Sequence, residues 1–152
     1  MAAYTDTLGF DKGSAAFPNK GVNAVTKIKV TLNFATIIAA RSAASATALA
    51  AADTLAIIDL PAKTVVLAAG INVTTAETTN TTATFDFGYT GGSPAAANVY
   101  CDDLASNAVA MDSDNLANAT IVKTADTIDL LLNTAVPTDC VMDCWAIVAD
   151  AS

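Results

Sequence analysis

The 152-residue chain is the size of one domain, long enough for a single buried core and too short for two. Its net charge is −8 and its seven lysines and arginines form no run, which excludes a phosphate-neutralising nucleic-acid surface and an anionic membrane as partners. Hydrophobic residues reach 53% and charged residues only 14%, well under the usual quarter, as in chains that bury much of their exterior against copies or partners and in some secreted β domains.

From the N-terminus, residues 1–21 read as an irregular, extended arm. Gly9, Gly13, Pro18 and Asn19–Gly21 punctuate it, while Tyr4, Leu8, Phe10 and Phe17 are spaced along it with neither helix nor strand period. Apolar anchors without a period cannot fold an arm alone. These four residues are therefore expected to fill pockets on a neighbouring subunit or another partner, and the rest of the chain is expected to tolerate loss of the arm. The opening "MAAYTDTLGFDKG" has no basic segment leading into an apolar one. No secretory signal is read there, and folding in a cytoplasm is expected.

Residues 22–152 are expected to form one β-sandwich domain. In "VTKIKVTLNF", Ile28, Val30, Leu32 and Phe34 alternate with Lys27, Lys29, Thr31 and Asn33, as in a half-buried strand. The alanine-rich Ala35–Ala52 has too weak an apolar stripe to dock a long helix, so a loop with at most a short helix is expected. Arg41 and several Ser and Thr make the same stretch a poor membrane span. Strand patterns follow: "TLAIIDL" ending at Pro61, "TVVLAAG" ending at Gly70, "INVTT" before a turn at Glu77–Thr81, and "TATFDFGY" ending in "TGGSP". A polar loop containing "MDSDNLAN" leads to "TIVKT", "DTIDLLLNT" and "CVMDCWAIVAD". In the last of these, Val141, Trp145 and Ile147 share a face with Asp143. About seven or eight short strands without alternating helices predict an all-β, antiparallel β-sandwich of jelly-roll type. Phe85, Phe87 and Tyr89 fall at every second position and are expected to be the inward face of one strand; an exposed platform for bases or sugars is the sharper alternative.

Little in the chain carries chemistry. It has no histidine, no G-x-S-x-G elbow and no phosphate-cradling glycine loop, so it is read as a non-enzyme without a cofactor. Asp102 with Asp103, and Asp112 with Asp114 and Asn115, offer oxygen ligands for Ca²⁺. The EF-hand glycine and terminal Glu are missing, so solvated loop carboxylates are the favoured reading and no metal site is predicted. Cys101, Cys140 and Cys144 are odd in number. On one strand Cys140 and Cys144 stand roughly 13 Å apart, beyond disulfide reach, and C-x₃-C without a second pair is a weak metal motif. All three thiols are expected to be reduced and buried. Asn72, Asn80 and Asn118 open N-x-[ST] triplets of the kind an Asn- and Thr-rich chain produces by chance.

One longer pattern stands out. It comprises Asp53, the strand to Leu60, Pro61 and Ala62, the valine-rich Val65–Val73, and Asp86, Gly88 and Tyr89 of "TATFDFGYTGG". This resembles the capsid decoration, or cement, proteins of tailed bacteriophages, notably those of cyanobacterial and marine phages. The resemblance covers about a quarter of the chain and consists of structural punctuation. It implies a β-sandwich, homotrimers seated on the outer capsid surface of a virion, the major capsid protein as partner, and a purely structural role. The Ala35–Ala52 insertion and the Cys140/Cys144 pair depart from it. A carbohydrate-binding or adhesin-like sandwich, with exposed aromatics and Ca²⁺ at the acidic segments, and a tail or fibre component of the same particle are the alternatives.

Overall fold

Alternating segments become strands wherever one of their faces finds a core. The computed structural model describes residues 2–15, 24–89, 96–114 and 120–151. Along them run β1 (Ala3–Tyr4), β2 (Gly13–Ser14), β3 (Val25–Asn33), α1 (Phe34–Ala43), β4 (Thr54–Leu60), β5 (Thr64–Thr75) and β6 (Thr84–Tyr89). Then come β7 (Ala96–Ala105), β8 (Met111–Asp114), β9 (Thr120–Val122), β10 (Asp126–Leu132) and β11 (Val141–Asp150). One sheet has the order β1-β4-β10-β6-β7, with β2 also on β4; the other has the order β3-β11-β5-β8, with β9 also on β5. The long strands pair antiparallel. Among the described pairs, only β1 and β2 run parallel to their partner, β4. The chain is an all-β sandwich, as its alternation predicts.

The inward faces meet in one apolar cluster. Ile28, Val30 and Leu32 of β3 and Met142, Cys144, Ala146 and Val148 of β11 come from one sheet. Leu55 and Ile57 of β4, Ile128, Leu130 and Leu132 of β10, and Phe85 and Phe87 of β6 come from the other. Each large side chain buried here contributes about 1.5–3 kcal/mol. Phe85 and Phe87 are fully buried and Tyr89 nearly so. Phe85 stacks on Phe34 at 5.9 Å, and the Tyr89 and Tyr100 hydroxyls meet at 2.7 Å. The aromatic row is core rather than an exposed platform.

Several expectations are corrected. Phe34 does not extend β3 but opens a ten-residue helix. Asn33 caps it, its side chain accepting from the Thr36 N–H at 3.1 Å, and Phe34, Ile37 and Arg41 are buried at helical spacing. Two large apolar anchors and alanine's helix propensity suffice once the sandwich supplies the docking surface. Gly70 does not end a strand, because β5 runs through it. A Cβ there would stand 2.5 Å from the Asp112 carbonyl oxygen, so glycine allows β8 to pair closely. The segment taken as a polar loop holds β7 and β8, so Asp102, Asp103 and Asp112 sit on strands. Asp102 and Asp103 broke the apolar alternation that would have revealed β7.

Candidate functional site: the arm, its clamps and the two outer faces

The arm lies along its own sandwich over the described residues. Thr54 donates to the Ala2 carbonyl at 2.8 Å and Ala15 to the Asp59 carbonyl at 3.0 Å, so the arm extends the β4 edge. Between these points Gly13 passes between the two sheets, where a Cβ would meet Ile28 at 2.5 Å, Val30 at 2.9 Å and Ile58 at 3.3 Å. Phe10 and Ala15 belong to the core cluster, with Tyr4 packed against it. Phe10 therefore already has its pocket within this chain. Tyr4 and Leu8 are half-buried and keep an outward side, while Phe17 lies outside the described residues.

The chain's only arginine holds the arm down. Arg41 is 3% exposed, and its guanidinium is held by several partners. It donates to both Asp6 oxygens at 2.8 and 3.0 Å and to the Thr47 carbonyl at 2.9 Å, and it lies 4.1 Å from the centroid of the Tyr4 ring. Asp53 adds a second clamp, accepting from the Ala2 N–H at 2.7 Å and the Ala50 N–H at 2.8 Å. Burial opposes ionisation of Asp53, but those two backbone donors outweigh it and lower its pKa.

The chain's only glutamate joins two loops just beyond the end of β5. Glu77 is 2% exposed. Its carboxylate accepts from the backbone N–H of Thr79, Asn80, Thr138, Asp139 and Cys140 and from the Thr138 hydroxyl, at 2.6–3.2 Å. Burial alone would raise its pKa; the donors from Asn80, Asp139 and Thr138 prevail and hold it far below the usual carboxylate range. In the sequence Glu77 is marked only as the start of a turn. The available signal was its solitude: a single Glu in a chain whose other acids are all Asp.

The described acidic side chains serve different protein donors. Asp103 accepts from Thr84 at 3.1 Å and from Asn133 at 2.9 Å, whereas Asp102 accepts from Asn98 at 3.0 Å. Asp112 faces the Asp102 N–H at 3.4 Å. The Asp114 side chain and Asn115 and Asn118 lie outside the described residues. Among the described residues, no three His, Cys, Asp or Glu are placed to hold a metal. All three cysteines are buried thiols. The Cys101 thiol donates to the Asp112 carbonyl at 3.1 Å. Burial first, then the charges of Glu77 and Asp139, pushes the Cys140 pKa up to about 12.

The outer faces of the two sheets differ in character. On the β3-β11-β5 sheet, Lys29 stands opposite Trp145, Lys27 opposite Ile147, and Thr31 opposite Asp143. Lys27, Lys29, Asp143, Trp145 and Ile147 surround a depression of about 320 Å³ that also reaches Asn72 and Met111. On the other sheet, Asp102 and Asp103 of the edge strand β7 are exposed, whereas the exposed Asp59 of β4 lies beside β2 with its carboxylate 3.6 Å from the Lys12 ammonium.

No protein-family model matches the chain, and no curated protein does. Its fold is similar to that of a chain in the capsid of Ralstonia phage GP4, with 15% identity and a TM-score of 0.58 over 97% of both chains. A chain of the cyanophage Pam1 capsid asymmetric unit shows 19% identity and a TM-score of 0.56 over 89% of this chain and 91% of that one. A chain in the acidic stable capsid structure of Helicobacter pylori bacteriophage KHP30 shows 11% identity and a TM-score of 0.53, covering 87% and 90%. At these identities the likeness is one of fold, and it runs nearly end to end.

Proposed function

We propose that this chain is a structural virion protein that decorates and cements a bacteriophage capsid, bound to the major capsid protein on the outer surface of the head as a homotrimer. The observation that carries this reading is the sandwich shared over nearly its whole length with chains of three phage capsid structures. Composition supports it: a charge fraction of 14% suits a molecule that buries much of its exterior. Strand order supports a jelly roll, because β4-β10-β6-β7 and β3-β11-β5-β8 interleave strands from both ends of the chain. Of the described large apolar residues of the arm, Tyr4 and Leu8 have surface left to offer the capsid. The test uses purified protein and heads lacking it. Co-sedimentation should saturate, and the temperature at which heads disrupt should rise, since a ligand of the assembled state stabilises that state. Difference imaging should place the added density outside the shell in groups of three. Heads that neither bind the protein nor gain stability would sink the proposal.

A further inference from the structure

We infer that the outer face of the β3-β11-β5 sheet binds a second copy of this chain through that copy's acidic surface; the inference rests on the trimer reading above. One cross-strand row, Val25–Ala149–Val65–Ile121, is apolar from edge to edge of the sheet. Val25 is 59% exposed, Ile121 56% and Met111 66%, so apolar side chains face outward at both sides of the face that carries half-buried Trp145.

Charge identifies the occupant. Lys27 and Lys29 are exposed on β3, and exposed Lys63 and Lys123 flank the Thr64–Val122 pair at one end of the same sheet. Of the acids on this sheet, Asp143 is already engaged by Lys29 at 3.0 Å and Thr31 at 2.6 Å, and Asp150 of β11 stands opposite Thr64 at the Lys63 end. Four of the seven basic residues thus gather on one sheet, and the remainder of the chain is more acidic than its net charge of −8. A closed trimer cannot use one patch twice: each subunit must present two different surfaces that complement each other. A basic, apolar sheet and the exposed acidic pair Asp102 and Asp103 on the β7 edge of the other sheet meet that requirement in a single chain. Lysines on an edge strand also deter stray strand pairing. That role accounts for Lys27 and Lys29 but not for Met111 and Ile121 on the far side of the sheet.

Sedimentation of the full chain tests the inference. The wild type should associate at micromolar concentration and weaken with added salt. A Lys27→Glu, Lys123→Glu variant should associate roughly a hundredfold more weakly, as when complementary charges across an interface are inverted, while its far-UV spectrum is unchanged. Ile121→Ser should weaken association without changing the salt dependence. A wild-type chain that stays monomeric, or charge variants that associate as tightly as the wild type, would overturn the inference. So would charge variants that stay associated but no longer bind heads, which would assign the face to the capsid. Head binding is measured separately by co-sedimentation, so failure of the self-contact and failure of the decoration reading remain distinguishable.

Discussion

Arg41 and Glu77 occur once each in their residue type, and each is buried where backbone groups of loops need a charged partner. Lysine cannot reproduce the fork of the first, and aspartate is one methylene too short for the reach of the second. Replacing Glu77 with Ala leaves several inward-pointing N–H groups without an acceptor, a change costing about 3 kcal/mol. For a chain of this size that corresponds to a fall of roughly 6–12 °C in melting temperature, readable by calorimetry. The pH dependence follows from the lowered pKa. In the unfolded chain the carboxyl titrates near pH 4.3 or so, whereas in the folded chain it titrates well below. The stabilisation is therefore fully present above about pH 4.3 and is lost progressively as pH falls further. Denaturation midpoints of the wild type should drop steeply in that acidic range, and those of Glu77→Gln should drop less. Equal slopes would show that Glu77 is not the group responsible.

Among the elements, β3, β6, β10 and β11 were legible from period-two alternation, and β4 from an apolar, β-branched run that Pro61 ends. β7 was hidden because Tyr100 and Cys101 are both buried and two aspartates follow, so no simple alternation survives. Over its described residues the arm runs along its own sandwich. Its rings have no period because each meets a different element, Tyr4 meeting Arg41 and Phe10 joining the core. Local pattern cannot encode contacts of that kind. Gly9 shows how closely the arm is fitted: its φ is +88°, and a Cβ would stand 2.6 Å from the Ile37 Cα in α1. Gly9→Ala should therefore be strongly destabilising, because neither its own backbone nor the helix backbone can yield. Deleting residues 1–15 should cost more still. It removes Phe10 and Ala15 from the core and uncovers Ile28, Val30 and Ile58, a loss of at least about 4 kcal/mol by area. That is much of the stability of an ordinary domain. Chemical denaturation of the truncated chain reads this directly, and a midpoint close to the wild type would make the arm the dispensable appendage its sequence suggests.

For the molecule as a whole, the two sheets are held together by a core whose thiols report on their separation. Cys101 comes from β7, at the edge of one sheet, and Cys144 from β11, in the interior of the other; both are buried. Burial raises the Cys144 pKa well above the usual thiol value, and nearby Cys101 and Asp143 add to it. Thiolate is the reactive form, so native labelling needs both solvent access and relief of that shift. A thiol reagent should therefore modify none of the three cysteines quickly in the native protein and all three after denaturation without reductant. Single-cysteine variants should label in a fixed order under mild denaturant, Cys101 before Cys144, because an edge strand opens at lower free energy than a central one. The rate for Cys144 should approach that of global unfolding measured by tryptophan fluorescence. If Cys144 labels as fast as Cys101 at all denaturant concentrations, the sheets part as one unit and the β7 edge has no independent opening. Fast native labelling of Cys144 would mean that the two sheets are not packed as described.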